Sequence, residues 1–124
     1  MSKILVIEDD ELMHKIIEKI LRRENIEMDA VLNGKEAINK LIENDYDYDL
    51  ILTDIMMPYA NGLEILSKVK NREVGRSIAV MIISNASNEE MITDAFKLGA
   101  DDFLKKPFAP NELLMRVKRL VGKK

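Results

Sequence analysis

Short apolar runs typical of β-strands alternate with amphipathic segments typical of helices along the whole chain, five times over. The strand candidates are Lys3–Ile7, Met28–Leu32, Leu50–Thr53, Ile78–Ile83 and Asp102–Lys105. The first, third and fourth are continuous apolar runs, as expected for central parallel strands that are covered on both faces. Five strand–helix units joined by right-handed crossovers therefore predict a doubly wound parallel α/β sheet whose strand order reverses once.

Apolar residues between the strand candidates recur at three- and four-residue spacing, which is typical of helices with one buried face. The predicted stripes are Leu12, Ile16, Ile17, Ile20 and Leu21; Ala37, Ile38, Leu41 and Ile42; Leu63, Leu66 and Val69; Met91, Ile92, Ala95 and Phe96; and Leu113, Leu114, Val117 and Val121. The fourth helix is predicted over Ser87–Leu98, from the capping box of Ser87 and Glu90 to the stop at Gly99. The last helix is predicted over Pro110–Val121, because proline suits a first helical turn.

Composition indicates a soluble globular protein and excludes several kinds of site. The length of 124 residues suits one domain, so residues 1–124 are interpreted as a single domain. With 22 acidic and 19 basic residues the net charge is -3, so a direct nucleic-acid partner is not expected. The chain has no cysteine, which excludes disulfides and zinc–thiolate sites. No signal peptide or apolar stretch of about 20 residues is present, so we expect a cytoplasmic protein without a membrane partner.

Polar residues stand where the strand candidates end. In open α/β sheets, ligands bind outside the carboxyl ends of the strands, at the point where strand order reverses. The residues that end the first, third, fourth and fifth strands are Glu8, Asp9 and Asp10; Asp54; Ser84; and Lys105 and Lys106. Oxygen ligands favour a hard cation such as Mg²⁺, which also binds phosphate oxygens. A lysine and a hydroxyl suit a phosphoryl group, and Asp54 is then the candidate nucleophile that carries it as a mixed anhydride.

Each of these residues also has a structural interpretation. Acidic residues after a strand often cap the next helix, and Asp10 is expected to cap the helix that begins at Glu11. Asp9 alone is equally compatible with capping and with metal binding. Ser84 or Lys106 taken alone is typical of a solvated surface. Their convergence on one edge of the sheet favours the functional interpretation.

Three further features receive structural interpretations. His14, the only histidine, shares the polar side of the first helix with Glu18 and Arg22, so it is interpreted as an exposed helix residue and not as a phosphoacceptor. The DYDYD stretch at residues 45–49 is interpreted as a solvated turn. The NGK sequence at residues 33–35 lacks the GxxxxGK[ST] frame of a phosphate-binding loop and is interpreted as a helix start.

The segments ILVIEDDE, LILTDIMMPYANGLEIL, MIISNAS and GADDFLKKPF resemble the receiver domains of two-component response regulators over essentially the whole chain. The resemblance implies a flavodoxin-like sheet of order 2-1-3-4-5 with five helices. It also implies a phosphorylation-dependent signalling switch, in which Asp54 accepts a phosphoryl group from a sensor histidine kinase or a phosphotransfer protein. Such a domain is not an enzyme in the usual sense, although it assists its own Mg²⁺-dependent phosphorylation and dephosphorylation.

The same resemblance implies a role for each residue around the acceptor. Asp9 would bind Mg²⁺ directly and Glu8 would bind it through water. Asp54 and the backbone carbonyl of Met56 would be further metal ligands. Lys106 would pair with the phosphoryl group.

Ser84 and Phe103 match the positions that the family uses as its switch, and the Lys106–Pro107 bond is expected to be cis. At two positions the chain departs from the family pattern in ways that bear on the rates of phosphorylation and dephosphorylation. Phe103 lacks the hydroxyl of the tyrosine in the chemotaxis regulator, and Asn85 stands where relatives more often have Ala or Gly.

Three other functions share this architecture. A phosphatase with an aspartyl-phosphate intermediate would need an acid two residues after Asp54, where this chain has Met56. A flavodoxin-like cofactor binder would need a phosphate-binding loop after the first strand, where EDDE would repel phosphate. A phosphorylation-independent pseudo-receiver that only binds partners is the remaining alternative, although it need not keep Asp54, Asp9 and Lys106 together.

A switch of this kind implies an output face, formed by the fourth helix, the fifth strand and the last helix, that binds a downstream protein. The run KLGADDFLKKPFAPNELLMRVKRL is similar to receivers of winged-helix transcription factors, which pair through this face by ion pairs between copies. Asp102 and Arg116 remain as one such pair, whereas Ile92 stands where a basic residue should meet Glu112. Another pair would bring two lysines together, so we expect a monomer or a weak dimer.

Overall fold

The computed structural model describes residues 2–54, 62–73, 75, 77–85 and 89–122. Within these residues five strands alternate with five helices: β1 (Lys3–Ile7), α1 (Glu11–Arg22), β2 (Glu27–Val31), α2 (Gly34–Glu43), β3 (Leu50–Thr53), α3 (Gly62–Lys70), β4 (Ala79–Ser84), α4 (Glu89–Lys97), β5 (Asp102–Lys105) and α5 (Pro110–Val121). The strands pair in parallel in the order β2-β1-β3-β4-β5. The predicted doubly wound α/β class and the strand order implied by the resemblance are confirmed.

The central strands bury both of their faces. Alternate side chains of β1, β3 and β4 enter two separate cores, one beneath α1 and α5 and the other beneath α2, α3 and α4. In β1, for example, Ile4 and Val6 enter the first core, and Leu5 and Ile7 enter the second. Burial on both sides explains why these strands are continuous apolar runs and not alternating ones.

Two strands begin and end one residue away from the predicted bounds. β2 covers Glu27–Val31 instead of Met28–Leu32, and β4 covers Ala79–Ser84 instead of Ile78–Ile83. The predicted bounds follow the apolar residues, whereas the observed bounds follow the hydrogen-bonded register with the neighbouring strands. As a result Ser84 is the last residue of β4, where it pairs with Lys105 of β5.

The buried helix stripes are narrower than predicted. Leu12 and Ile16 of α1 are 65% and 41% exposed, and Ile42 and Phe96 are also exposed. The buried residues of α1 are Ile17, Ile20 and Leu21. A helix that lies on a sheet buries only the residues facing it, so apolar residues at the margin of the stripe remain in solvent. No helix in the described part of the chain combines the length and apolarity needed to cross a bilayer.

The predicted local signals at helix ends are observed where the structure describes them. The Asp10 carboxylate caps α1 by accepting from the backbone N–H of Leu12 at 2.9 Å, and Asn33 caps α2 by accepting from the N–H of Glu36 at 2.9 Å. The NGK sequence is therefore a helix start, as predicted. α4 ends at Lys97, one residue before the predicted end at Leu98, and Gly99 beyond it has a φ of +111°, a conformation that favours glycine.

The structure describes the predicted first residue of α5 but not that of α4. The predicted fourth helix begins at Ser87, which lies outside the described residues, and the described part of α4 begins at Glu89. Pro110 is the first residue of α5, as predicted. Its ring costs no hydrogen bond there because the N–H of a first-turn residue has no intrahelical partner.

The DYDYD stretch is not simply a solvated turn, so that interpretation is wrong. Tyr48 is buried, and its hydroxyl donates to Asp29 Oδ2 at 2.7 Å. Tyr46 packs against the same core, and the Asp49 carboxylate accepts from the N–H of Lys3 at 2.8 Å. The three aspartates dominate the local composition, but the two tyrosines supply apolar surface that closes the end of the core.

Candidate functional site

The carboxyl ends of the parallel strands bring the predicted site residues to one edge of the sheet. Glu8 follows β1, Asp54 follows β3, Ser84 ends β4 and Lys106 follows β5. Glu8, Asp54 and Ser84 are buried although they are polar, with 4%, 7% and 0% of their surfaces exposed. Lys105, the residue before Lys106, is exposed. Buried polar groups need partners, so the contacts of these side chains define the site.

Lys106 joins the two buried carboxylates. Its Nζ donates to Glu8 Oε1 at 3.1 Å, to Glu8 Oε2 at 3.2 Å and to Asp54 Oδ2 at 3.0 Å. The backbone N–H of Lys106 also donates to the carbonyl of Ser84 at 2.9 Å, which fixes the start of this loop against β4. One ammonium therefore faces two carboxylates, and the cluster has an excess of negative charge whenever both are ionised.

Burial and charge shift the pKa values of this cluster. Desolvation raises the pKa of Glu8 from 4.5 to about 7, against the lowering effect of Lys106 and with a further rise from Asp54. Desolvation lowers the pKa of Lys106, but the hydrogen bonds and charges of Asp54 and Glu8 outweigh it and raise that pKa above 10.5. Lys106 is therefore charged at neutral pH, whereas Glu8 takes up a proton easily unless another cation compensates its charge.

The donor set of this edge fits a hard divalent cation. Glu8 and Asp54 supply buried carboxylate oxygens, and Asp9 is exposed beside them. Since Asp10 is the cap of α1, the capping alternative for Asp9 does not apply. In the part of the chain that the structure describes, no three acidic or imidazole groups form a complete metal-binding cluster. Mg²⁺ needs only one or two carboxylates, because water and phosphate oxygens fill its remaining positions.

The other predicted site residues have roles that stay predictions. Ser84 is fully buried, and Asn85 after it is exposed. Phe103 of β5 is half-buried and packs against the core beneath α2, α3 and α4. The Lys106–Pro107 bond is cis, as the resemblance implies. Met56, the predicted carbonyl ligand, lies outside the described residues.

The interpretation of His14 as an exposed helix residue is wrong. Its side chain is half-buried, and its Nε2 lies 2.6 Å from the backbone carbonyl oxygen of Glu8. A carbonyl oxygen can only accept, so Nε2 carries the hydrogen in this contact. Helical periodicity places residue 14 on the polar side of α1. It does not reveal that the first turns of α1 lie over the end of β1, where a polar side chain can reach back to the strand.

On the predicted output face, the Asp102 carboxylate is engaged within its own chain. Arg116 Nη1 donates to Asp102 Oδ1 at 2.8 Å and to Oδ2 at 3.0 Å, and Arg119 Nη2 donates to Oδ2 at 2.7 Å. Asp102 is also buried. The contact expected between facing copies is thus formed here between β5 and α5 of one chain.

Comparison with known proteins gives a consistent match. Residues 4–118 match the family model described as the response regulator receiver domain. The transcriptional regulatory protein ResD of Bacillus subtilis (strain 168) is 35% identical over 120 residues, which are 97% of this chain and 48% of that protein. The chain spans about half the length of the curated relatives it matches.

Solved structures resemble the whole chain. The receiver domain of Francisella response regulator 1452 aligns with a TM-score of 0.87 and 33% identity, over 99% of this chain and 98% of that one. The receiver domain of sensor histidine kinase PA1611 from Pseudomonas aeruginosa PAO1 aligns with a TM-score of 0.86 and 26% identity, over 98% of each chain. That structure contains a magnesium ion coordinated in the active site cleft.

Proposed function

Since the chain belongs to the family of response regulator receiver domains, we propose that it is a phosphorylation-dependent switch whose phosphoacceptor is Asp54. One observation carries the assignment to this residue. The Asp54 carboxylate is buried at the carboxyl end of β3, and its Oδ2 lies 3.0 Å from the ammonium of Lys106. The phosphodonor would be a phosphohistidine on a sensor histidine kinase or a phosphotransfer protein.

The proposed step is a transfer between two nucleophiles. A carboxylate oxygen of Asp54 attacks the phosphorus, the new P–O bond forms as the P–N bond breaks, and the imidazole nitrogen leaves with the electron pair. Lys106 then exchanges one carboxylate contact for a phosphoryl oxygen and stabilises its charge. The raised pKa of Lys106 supports this role, since it keeps the ammonium charged throughout the physiological range.

Mg²⁺ would be held by the carboxylates of Glu8, Asp9 and Asp54 and by the backbone carbonyl of Met56. Bound Mg²⁺ would supply positive charge next to the transferred phosphoryl group. The excess negative charge of the Glu8–Asp54–Lys106 cluster supports this assignment, because two carboxylates face only one ammonium. The magnesium ion in the cleft of the PA1611 receiver domain is consistent with it.

The output would follow from the contacts of Lys106 and Ser84. When Lys106 turns to the phosphoryl group, the Ser84 hydroxyl is drawn towards the same group, and Phe103 rotates into the space that is vacated. The face formed by α4, β5 and α5 then changes shape and binds a downstream protein. Asp102 is already engaged by Arg116 and Arg119, which favours a monomer or a weak dimer over stable self-association.

Mass spectrometry after treatment with a small phosphodonor and Mg²⁺ tests the acceptor. We expect one phosphoryl group, on Asp54, that disappears in Asp54→Asn and when a chelator removes the metal. Asp47→Asn is the matched control, since Asp47 is an exposed aspartate in a loop at the opposite end of β3. A label on Asp9, Asp10 or His14, or one that persists in Asp54→Asn, would refute the assignment.

The Lys106→Ala variant separates acceptance of the phosphoryl group from the response to it. We expect this variant to be phosphorylated by the small donor, because the Asp54 nucleophile is intact. It should not shift Ser84 and Phe103, because the ammonium that links the phosphoryl group to the β5 loop is gone. NMR shifts around Phe103 that match those of the phosphorylated wild type would contradict this role of Lys106.

A further inference from the structure

His14 makes a contact that the proposed function does not use. It lies near the start of α1, and its half-buried ring reaches back to Glu8, the first residue of the connection between β1 and α1. The Nε2–H group donates to the carbonyl oxygen of Glu8 across 2.6 Å, the shortest of the hydrogen bonds described at this edge of the sheet. The contact requires the hydrogen on Nε2, so it fixes the Nε2–H tautomer of a neutral ring.

The bond completes the anchoring of the Glu8 backbone. The N–H of Glu8 donates to the carbonyl of Val31 in β2 at 3.1 Å, and its carbonyl accepts from His14. The peptide groups on both sides of the Glu8 Cα are therefore held, one by the sheet and one by α1. The backbone from which the Glu8 side chain extends is therefore anchored to both β2 and α1.

The other end of the same short connection is also hydrogen-bonded to α1. The Asp10 carboxylate accepts from the N–H groups of Leu12 and Met13, at 2.9 and 3.4 Å. Asp9 lies between the two anchors and is exposed. The connection of Glu8, Asp9 and Asp10 crowds three negative charges, which repel one another and favour an open loop. Hydrogen bonds at both of its ends oppose that opening.

We propose that His14 is a positioning residue for divalent-cation binding: its bond to the Glu8 carbonyl holds Glu8 and Asp9 in the arrangement that captures the cation. The inference rests on the proposed function, because that function places Mg²⁺ on these two residues. His14 itself is neither a metal ligand nor a phosphoacceptor. Loss of its bond leaves the carboxylates in the chain but lets the connection open, so each binding event has to order it again.

Titration calorimetry with Mg²⁺ on the 124-residue chain tests the proposal. We expect His14→Ala to weaken Mg²⁺ binding by about tenfold, the lower end of what loss of a residue supporting a metal ligand costs. His14→Gln should recover most of the affinity, because its side-chain amide nitrogen donates from nearly the same place as Nε2. Ile20→Val is the matched control, since it removes a buried methyl group from the same helix and should leave the affinity unchanged.

A second readout needs no metal. In chelator, amide hydrogen exchange of Glu8, whose N–H donates to the carbonyl of Val31, should accelerate in His14→Ala by a factor similar to the loss of affinity, and it should stay near wild type in His14→Gln and Ile20→Val. A role limited to helix stability would instead accelerate exchange along α1, and Ile20→Val would show the same effect.

The outcomes separate this inference from the function it rests on. Wild-type protein that binds no Mg²⁺ would overturn the proposed metal site and this inference with it. Wild-type binding with an unchanged affinity in His14→Ala would overturn the inference alone. If His14→Gln binds Mg²⁺ as weakly as His14→Ala does, the inference is also overturned, because the proposed role belongs to the hydrogen-bond donor and not to the ring.

Discussion

Replacing Glu8 with glutamine should stabilise the protein in the absence of metal, although it removes an ion-pair partner of Lys106. The wild-type carboxyl is buried, and its pKa is raised from 4.5 to about 7 by desolvation despite the nearby ammonium. Such a shift means that the neutral form suits the folded state better than the charged form. Glutamine imitates the neutral form at every pH.

The size and sign of the effect follow from linkage. Raising the pKa of the Glu8 carboxyl from 4.5 to about 7 corresponds to about 3 kcal/mol of folding free energy. Because the folded pKa is the higher one, Glu8 contributes this stability fully below pH 4.5, and the contribution is lost as the pH rises through 7. The stability of wild type relative to Glu8→Gln should therefore fall by up to about 3 kcal/mol between pH 4.5 and 8.

Urea unfolding in chelator, at pH values from 4.5 to 8, measures this difference. The comparison between variant and wild type cancels the titration of groups that do not interact with Glu8, provided that both proteins unfold with the same m value. Glu27→Gln is the control, because Glu27 is an exposed residue of β2 and should change stability by less than about 0.5 kcal/mol.

A difference between wild type and Glu8→Gln that stays flat over this range would refute the reasoning. It would mean that Lys106 compensates the Glu8 charge in full. A difference that grows in favour of wild type with rising pH would show that the ion pair outweighs desolvation. Added Mg²⁺ should reverse the ranking at pH 8, because only wild type can use the charged carboxylate to bind the cation.

Two further predictions concern the opposite end of the sheet and the output face. Tyr48→Phe should destabilise the protein by about 1 kcal/mol, because it leaves the buried ring in place but removes the 2.7 Å bond to Asp29; unchanged urea unfolding would show that the bond has no net value. Light scattering with Mg²⁺ and beryllium fluoride should report a monomer at micromolar concentration, since Asp102 is already paired with Arg116 and Arg119 of its own chain. A stable dimer that Arg116→Glu disrupts would contradict this expectation.

The sequence was sufficient for the architecture and for much of the candidate site. Continuous apolar runs identified the central strands, because a strand with two covered faces has no polar side. Asp10 and Asn33 were predicted as helix starts because capping depends on residues two or three positions away. Glu8, Asp54 and Lys106 were expected at one edge because parallel strands all point their carboxyl ends the same way.

Sequence patterns do not predict which partner a polar residue contacts when packing brings the two together from different elements. His14 was interpreted as exposed because periodicity locates a side of the helix but not the strand end beneath it. Tyr48 was assigned to a solvated turn because its partner, Asp29, lies 19 residues away in another strand. The resemblance identifies Asp102 and Arg116 as a pair that relatives use between copies, but it does not reveal that α5 brings Arg116 and Arg119 of the same chain onto Asp102.

The sequence by itself determined which residues are apolar, the kind and order of the elements, and which acidic and basic groups follow the strands. Only the tertiary structure decided the charge state of the site. Lys106 and Glu8 are 98 residues apart in the chain, and their separation of 3.1 Å exists only when β1 and β5 occupy the same sheet. Desolvation and Coulomb energies depend on burial and on distances between such remote groups. The raised pKa of Glu8 is therefore a property of the assembled sheet, and no stretch of the sequence carries it alone.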